Sequence, residues 1–145
     1  MEEESGSKTI NQPAVVLYSH YPFSNMANKI LIIEDEENIT QLLKVNLAGF
    51  VIENAYTGRE GWKKISLFKP DLVILDLRLP GISGWDIFQK IKAKPEHDKI
   101  KVIILTASDH KENREKAVAL NVDAFFSKPI DIQIFVQKVQ NLLNV

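Results

Sequence analysis

Three acids, one hydroxyl and one amine stand at the carboxyl ends of short apolar runs in this chain. Glu34 and Asp35 follow Lys29–Ile33, Asp76 follows Leu72–Leu75, Thr106 follows Lys101–Leu105, and Lys128 lies just beyond Ala124–Phe126. Carboxylates brought together on one edge repel unless a cation sits among them. Oxygen ligands without His or Cys select a hard divalent ion, Mg²⁺ with Mn²⁺ as a substitute, and Mg²⁺ keeps waters while using one or two carboxylates. A Thr hydroxyl and a Lys ammonium opposite them are a hydrogen-bond donor and a compact positive charge, the pair an arriving phosphoryl group needs. Asp76 also has a plainer reading: it starts the turn that Pro80 and Gly81 complete.

The surrounding sequence predicts elements that bring these residues together. Leu72–Leu75 lacks the alternation of a half-exposed strand and reads as one buried on both faces, and Lys29–Ile33 and Lys101–Leu105 read similarly. Val51–Ala55 is a weaker strand, and Ala124–Phe126 a short one. Between them come helices. Ile39, Leu42, Leu43 and Leu47 recur at helical spacing before Gly49, and Thr57-x-x-Glu60 is a capping box opening a helix with Trp62, Ile65 and Phe68. Trp62 falls at that spacing and is assigned to packing. A third helix spans Trp85–Lys94, ended by Pro95; a polar fourth runs from about Asp109 to Leu120, with Asn121 as its left-handed cap; and Ile132, Phe135, Val136, Val139, Leu142 and Leu143 mark an amphipathic fifth. Five alternations predict a doubly wound parallel α/β sheet with helices on both faces, whose strand ends form a crevice on one edge. Glu36 and Glu37 are ascribed to helix-dipole compensation, Glu34 and Asp35 to the crevice.

The 145 residues carry 18 basic and 19 acidic side chains, a balance that gives no electrostatic argument for nucleic acid or an anionic membrane. The lack of cysteine excludes disulfides, thiolate metal sites and a Cys nucleophile, and suits a cytoplasmic location. No apolar run approaches the roughly 20 residues of a membrane span. Residues 1–27 differ in composition: Glu2–Glu4 exclude a secretory signal, and Pro13 and Pro22 interrupt the apolar Ala14–Tyr18, so an extension that is disordered or loosely packed is expected there, with Ala14–Tyr18 as a possible edge strand.

The strand end EDE, the turn DLRLPGISG, the strand-terminal TAS and the late SKP together resemble the receiver domain of two-component response regulators, over residues 28–145. The resemblance implies a five-stranded sheet of order 2-1-3-4-5, the arrangement for which the chemotaxis receiver is a standard example. It makes Asp76 the phosphoacceptor, places Glu34 and Asp35 as the metal-binding acids with Asp76 and the Arg78 carbonyl, and gives Thr106 and Lys128 the phosphoryl oxygens. Thr106 and Phe125 match the switch pair, and Arg78, Ala107 and Ser108 flank the approach to the phosphate. Two positions depart from the family: Glu34 stands for the commoner Asp, its extra methylene either pushing the metal or binding it through water, and Phe125 for the commoner Tyr, which removes a hydroxyl. The resemblance also implies a sensor histidine kinase or histidine phosphotransfer protein as donor, and a target engaging the helix-4, strand-5 and helix-5 face. A stand-alone switch is expected, because the chain stops at the fifth helix; it is a phosphoacceptor that promotes its own Mg²⁺-dependent phosphorylation and dephosphorylation, not an enzyme on other substrates.

Three other readings compete with this one. A flavodoxin-like binder needs a donor-rich loop where this chain has four acids. A haloacid-dehalogenase phosphatase wants an acid two residues after the nucleophile, where Arg78 stands. The third is a pseudo-receiver acting only as a protein-interaction module.

Overall fold

A computed structural model describes residues 28–145, so the expected extension 1–27 and the apolar Ala14–Tyr18 lie outside the described residues. Strands β1 (Lys29–Ile33), β2 (Val51–Ala55), β3 (Leu72–Leu75), β4 (Lys101–Thr106) and β5 (Ala124–Ser127) alternate with helices α1 (Glu37–Asn46), α2 (Gly58–Phe68), α3 (Gly84–Lys92), α4 (Lys111–Ala119) and α5 (Ile132–Leu143). All strand pairs are parallel and the order is β2-β1-β3-β4-β5, as predicted.

Alternation along each strand divides the core in two. Leu31, Ile33, Val73, Leu75, Val102 and Ile104 face Ile65 of α2 and Ile87, Phe88 and Ile91 of α3. Ile30, Ile32, Leu72, Ile74, Ile103 and Leu105 face Leu43 and Leu47 at α1 and Phe135 and Val139 of α5. The central strands are thus buried on both faces, which is why they read as unbroken apolar runs, whereas β2 at the edge leaves Val51 46% exposed. α4 contributes little to either half: only Ala117 is buried, and Val118 is 78% exposed.

Element ends follow local chemistry. Thr57 Oγ1 accepts from Glu60 N–H at 3.1 Å, while Glu60 Oε1 accepts from Tyr56 N–H at 2.9 Å, so the capping box closes one residue earlier than its simplest form. α3 ends at Lys92, two residues short of the predicted end, because the residue before Pro95 disfavours helical backbone; a 3₁₀ turn, Pro95–His97, follows. α4 starts at Lys111, two residues later than predicted. Asn121 takes the left-handed conformation at φ 57°, as expected. Trp62 packs edge-on to His97 at 5.9 Å, with Lys90 and Lys94 over its ring.

Candidate functional site at the carboxyl edge of the sheet

Parallel register sets the site. Ile33 pairs with Leu75, so Glu34 and Asp76, the next residues, leave the sheet side by side, and Asp76 N–H still donates to Ile33 O at 3.1 Å. Thr106 pairs with Ser127 on β5, and Lys128 N–H donates back to Thr106 O at 3.0 Å. The loop after β3 folds back over Asp76: Gly84 N–H donates to Leu77 O, and a Cβ on Gly84 would run into Asp76 O and come within 2.7 Å of Leu77 Cα. Only glycine fits that start of α3.

Glu34, Asp76 and Thr106 are 2%, 5% and 0% exposed, unusual burial for two acids. Their compensation is Lys128, whose ammonium lies 2.9 Å from Glu34 Oε1, 2.9 Å from Glu36 Oε1 and 3.0 Å from Asp76 Oδ2. Three carboxylates thus meet its three protons. The remaining oxygens take backbone donors, Glu34 Oε2 from Glu36 N–H at 3.0 Å and Asp76 Oδ1 from Arg78 N–H at 3.1 Å. Burial pushes the Glu34 carboxyl up to about 7, against the opposing pull of Lys128 and the Glu36 amide, and the neighbouring Asp76 adds to the rise. Burial alone would lower Lys128, but hydrogen bonds to Glu34, Glu36 and Asp76 outweigh it and hold the ammonium above the usual lysine range. Lys128 stays charged at neutral pH.

Glu34, Asp35 and Asp76 each bring a carboxylate oxygen within 4.8 Å of the others. This donor set fits a hard divalent cation: it is all oxygen, with one exposed acid, Asp35, beside two buried ones. An open cleft of about 290 Å³ over the cluster is lined by Asp35, Glu36, Asp76, Arg78, Ala107 and Lys128. Arg78 is exposed there, and its guanidinium makes no ion pair among the described residues. Ser108 does not line the cleft; its N–H donates to Thr106 Oγ1 at 3.0 Å, which leaves the threonine O–H as a donor.

Phe125 is half-buried on β5. The Arg114 guanidinium stacks 5.3 Å from its centroid and also donates to Ser127 Oγ at 2.6 Å and Asp109 O at 3.0 Å. Two of these participants escaped the sequence reading. Glu36, ascribed to the helix dipole, caps α1 without a side-chain cap bond and reaches Lys128 instead. Its position one residue after Asp35 was the available signal. Arg114 sits on a polar helix whose sequence gives no sign of a partner on β5. A cavity of about 390 Å³ lies at the opposite edge of the sheet, lined by Lys69, Asp71, Glu96, His97 and Lys99 among others, away from all of these groups.

The geometry agrees with what is found in other proteins. The sequence model of the response regulator receiver domain matches residues 30–140. The phosphate regulon transcriptional regulatory protein PhoB of Rhizobium meliloti (strain 1021) is 32% identical over 120 residues, covering 81% of this chain and 53% of PhoB. The probable transcriptional regulatory protein SilR of Salmonella typhimurium is 35% identical over 117 residues, covering 79% and 50%. The chain therefore spans about half the length of the curated relatives it matches. Among solved structures, a CheY-like response regulator receiver domain protein from Methanospirillum hungatei JF-1 superposes with a TM-score of 0.74 at 28% identity, covering 82% of this chain and 95% of that one. The receiver domain of a putative Luxo repressor protein from Vibrio parahaemolyticus gives 0.75 at 29%, covering 82% and 92%. With its sheet order, its acid cluster and these matches in agreement, the chain belongs to the response regulator receiver domain family of two-component signalling.

Proposed function

We propose that Asp76 accepts a phosphoryl group from a phosphohistidine on a sensor kinase or phosphotransfer protein, and that the modified domain changes its affinity for a target. The observation that carries this reading is the contact between the Lys128 ammonium and Asp76 Oδ2 at 3.0 Å, in a cleft open to solvent. An Asp76 carboxylate oxygen forms the new bond to phosphorus while the bond from phosphorus to imidazole nitrogen breaks, and the imidazole retains the electron pair. Lys128 stays protonated and faces the added negative charge. Thr106 directs its free O–H to a phosphoryl oxygen. A Mg²⁺ ion held by Glu34, Asp35, Asp76 and the Arg78 carbonyl supplies charge neutralisation at the transferring group when bound.

Movement of Thr106 toward the phosphoryl group opens space for Phe125, whose stacking on Arg114 couples β5 to α4. The cleft of about 200 Å³ formed by Arg114, Ala117, Val118, Val122 and Phe125 lies on the face expected to meet the target. The test is intact mass after incubation with acetyl phosphate and Mg²⁺. One added phosphoryl group in the native chain, absent in Asp76→Asn, supports the reading; no addition to the native chain favours a domain that only binds proteins.

A further inference from the structure

The segment carrying Ala107 to the cleft is fastened at Ser108. Its N–H donates to Thr106 Oγ1 at 3.0 Å, and its carbonyl accepts from Asn113 Nδ2 at 2.8 Å. The other end of the same amide, Asn113 Oδ1, accepts the indole Nε1–H of Trp85 at 2.9 Å, from the first turn of α3. Asn113 Nδ2 also lies 3.3 Å from His110 Nε2. Trp85 is half-buried, edge-on to Phe88 at 6.1 Å, with Lys116 over its ring at 5.0 Å.

One amide thus spans α4, α3 and the loop beside Asp76. An asparagine held at both its oxygen and its nitrogen has a single orientation, so a turn that frees one partner frees the other. Apolar burial does little to fix α4, since Ala117 is its one buried residue; its other tie is Arg114, to Phe125 and Ser127 on β5. The Trp85 indole is anchored by α3, which does pack into the core through Ile87, Phe88 and Ile91.

We propose that Asn113 is a positioning residue of the Asp76 site: it sets the Ala107–Ser108 segment from α3, and it transmits displacement of Thr106 to Trp85. The transmission rests on the reading that Asp76 is phosphorylated. When Thr106 Oγ1 moves to a phosphoryl oxygen, Ser108 N–H loses its acceptor, the Ser108 carbonyl shifts on Asn113, and the indole N–H of Trp85 loses its partner. This path runs to the α3–α4 surface and does not involve Phe125.

Two measurements on the full chain separate the two parts. In the unphosphorylated protein, hydrogen exchange of the amides from Ala107 to His110 should quicken by about two- to tenfold in Asn113→Ala, the range given by losing one net hydrogen bond. Trp85→Phe keeps an aromatic ring but deletes the N–H donor; it should quicken the same amides, and the double variant should exceed the larger single effect by little. Unchanged exchange in Trp85→Phe, or fully additive effects, overturns the positioning role whatever happens at Asp76. The chain has two tryptophans, so a Trp62→Phe background makes Trp85 the sole emitter. There, Trp85 emission should change at the rate at which mass spectrometry detects phosphate on Asp76, and Asn113→Ala should abolish that change while phosphate still adds. Phosphate incorporation with unaltered emission overturns the transmission alone, and no incorporation overturns the phosphorylation reading, leaving the exchange result to decide the positioning role.

Discussion

The two edges of the same sheet both carry acids, with opposite outcomes. At the amino edge, Asp71 Oδ2 accepts from Lys29 N–H and Asp123 Oδ2 from Val102 N–H, each at 2.8 Å. These carboxylates tie Lys29, the first residue of β1, and Val102, the second of β4, to neighbouring segments, and around the cavity there Lys69, Asp71, Glu96 and Lys99 are all exposed, two of each sign. At the carboxyl edge, Glu34 and Asp76 are buried together and share one lysine. An acid partnered by an amide and water has a structural task that is already complete. Acids crowded around a single lysine can still take a further cation, and the proposed chemistry of the carboxyl edge rests on that difference.

The sharpest way to break this contrast is to neutralise one acid at each edge. Asp76→Asn should abolish phosphorylation by acetyl phosphate, since an amide is no nucleophile. Asp71→Ala should leave phosphorylation intact and cost about 1 kcal/mol in a urea titration, the value of one net hydrogen bond. Next in size is Gly84→Ala, which forces a methyl group into Asp76 O; a loss of roughly 1–3 kcal/mol is expected, with slower phosphorylation because the acceptor's own backbone is displaced. A cost near zero in both measurements would show that the loop after β3 is free to move from Asp76.

A pH series sharpens the contrast further. The folded-state pKa of Glu34, about 7, lies above its ordinary value of 4.5, so the folded protein binds more protons than the unfolded chain between the two. That contribution to stability is complete below the unfolded value and is lost as pH rises through 7. In chelator, the urea midpoint should therefore fall between about pH 5.5 and about pH 7.5, and Glu34→Gln should flatten the fall. The smallest effect is expected from Arg78→Ala. If its exposed guanidinium covers a phosphoryl oxygen, truncation should speed loss of phosphate from Asp76 by about tenfold, a barrier change of about 1.4 kcal/mol; an unchanged rate would confine Arg78 to its backbone.

The buried strands were legible because apolar runs of four to six residues, each ending on a polar group, leave few alternatives in an alternating α/β chain. The same runs placed Asp76, Thr106 and Lys128 at strand ends, where register alone brings them together. Glu36 was misassigned because a glutamate at a helix start satisfies the dipole argument equally well, and only the approach of Lys128 from 92 residues away decides its partner. Gly84 went unread for a similar reason: its tight fit belongs to a loop folding back on β3, not to any local turn. Asn113 and Arg114 lie on a helix with no apolar stripe, so nothing in the spacing marks their contacts with Trp85 and Phe125.

The same polar character predicts an unusual thermal signature for any displacement of α4. Heat capacity changes with exposure of apolar surface, and a helix attached mainly through Asn113 and Arg114, with Ala117 alone buried, exposes little when it shifts. The enthalpy of any such displacement should then be nearly constant with temperature, giving a straight van 't Hoff line across the range in which unfolding of the well-packed sheet, with its large heat capacity, gives a strongly curved one.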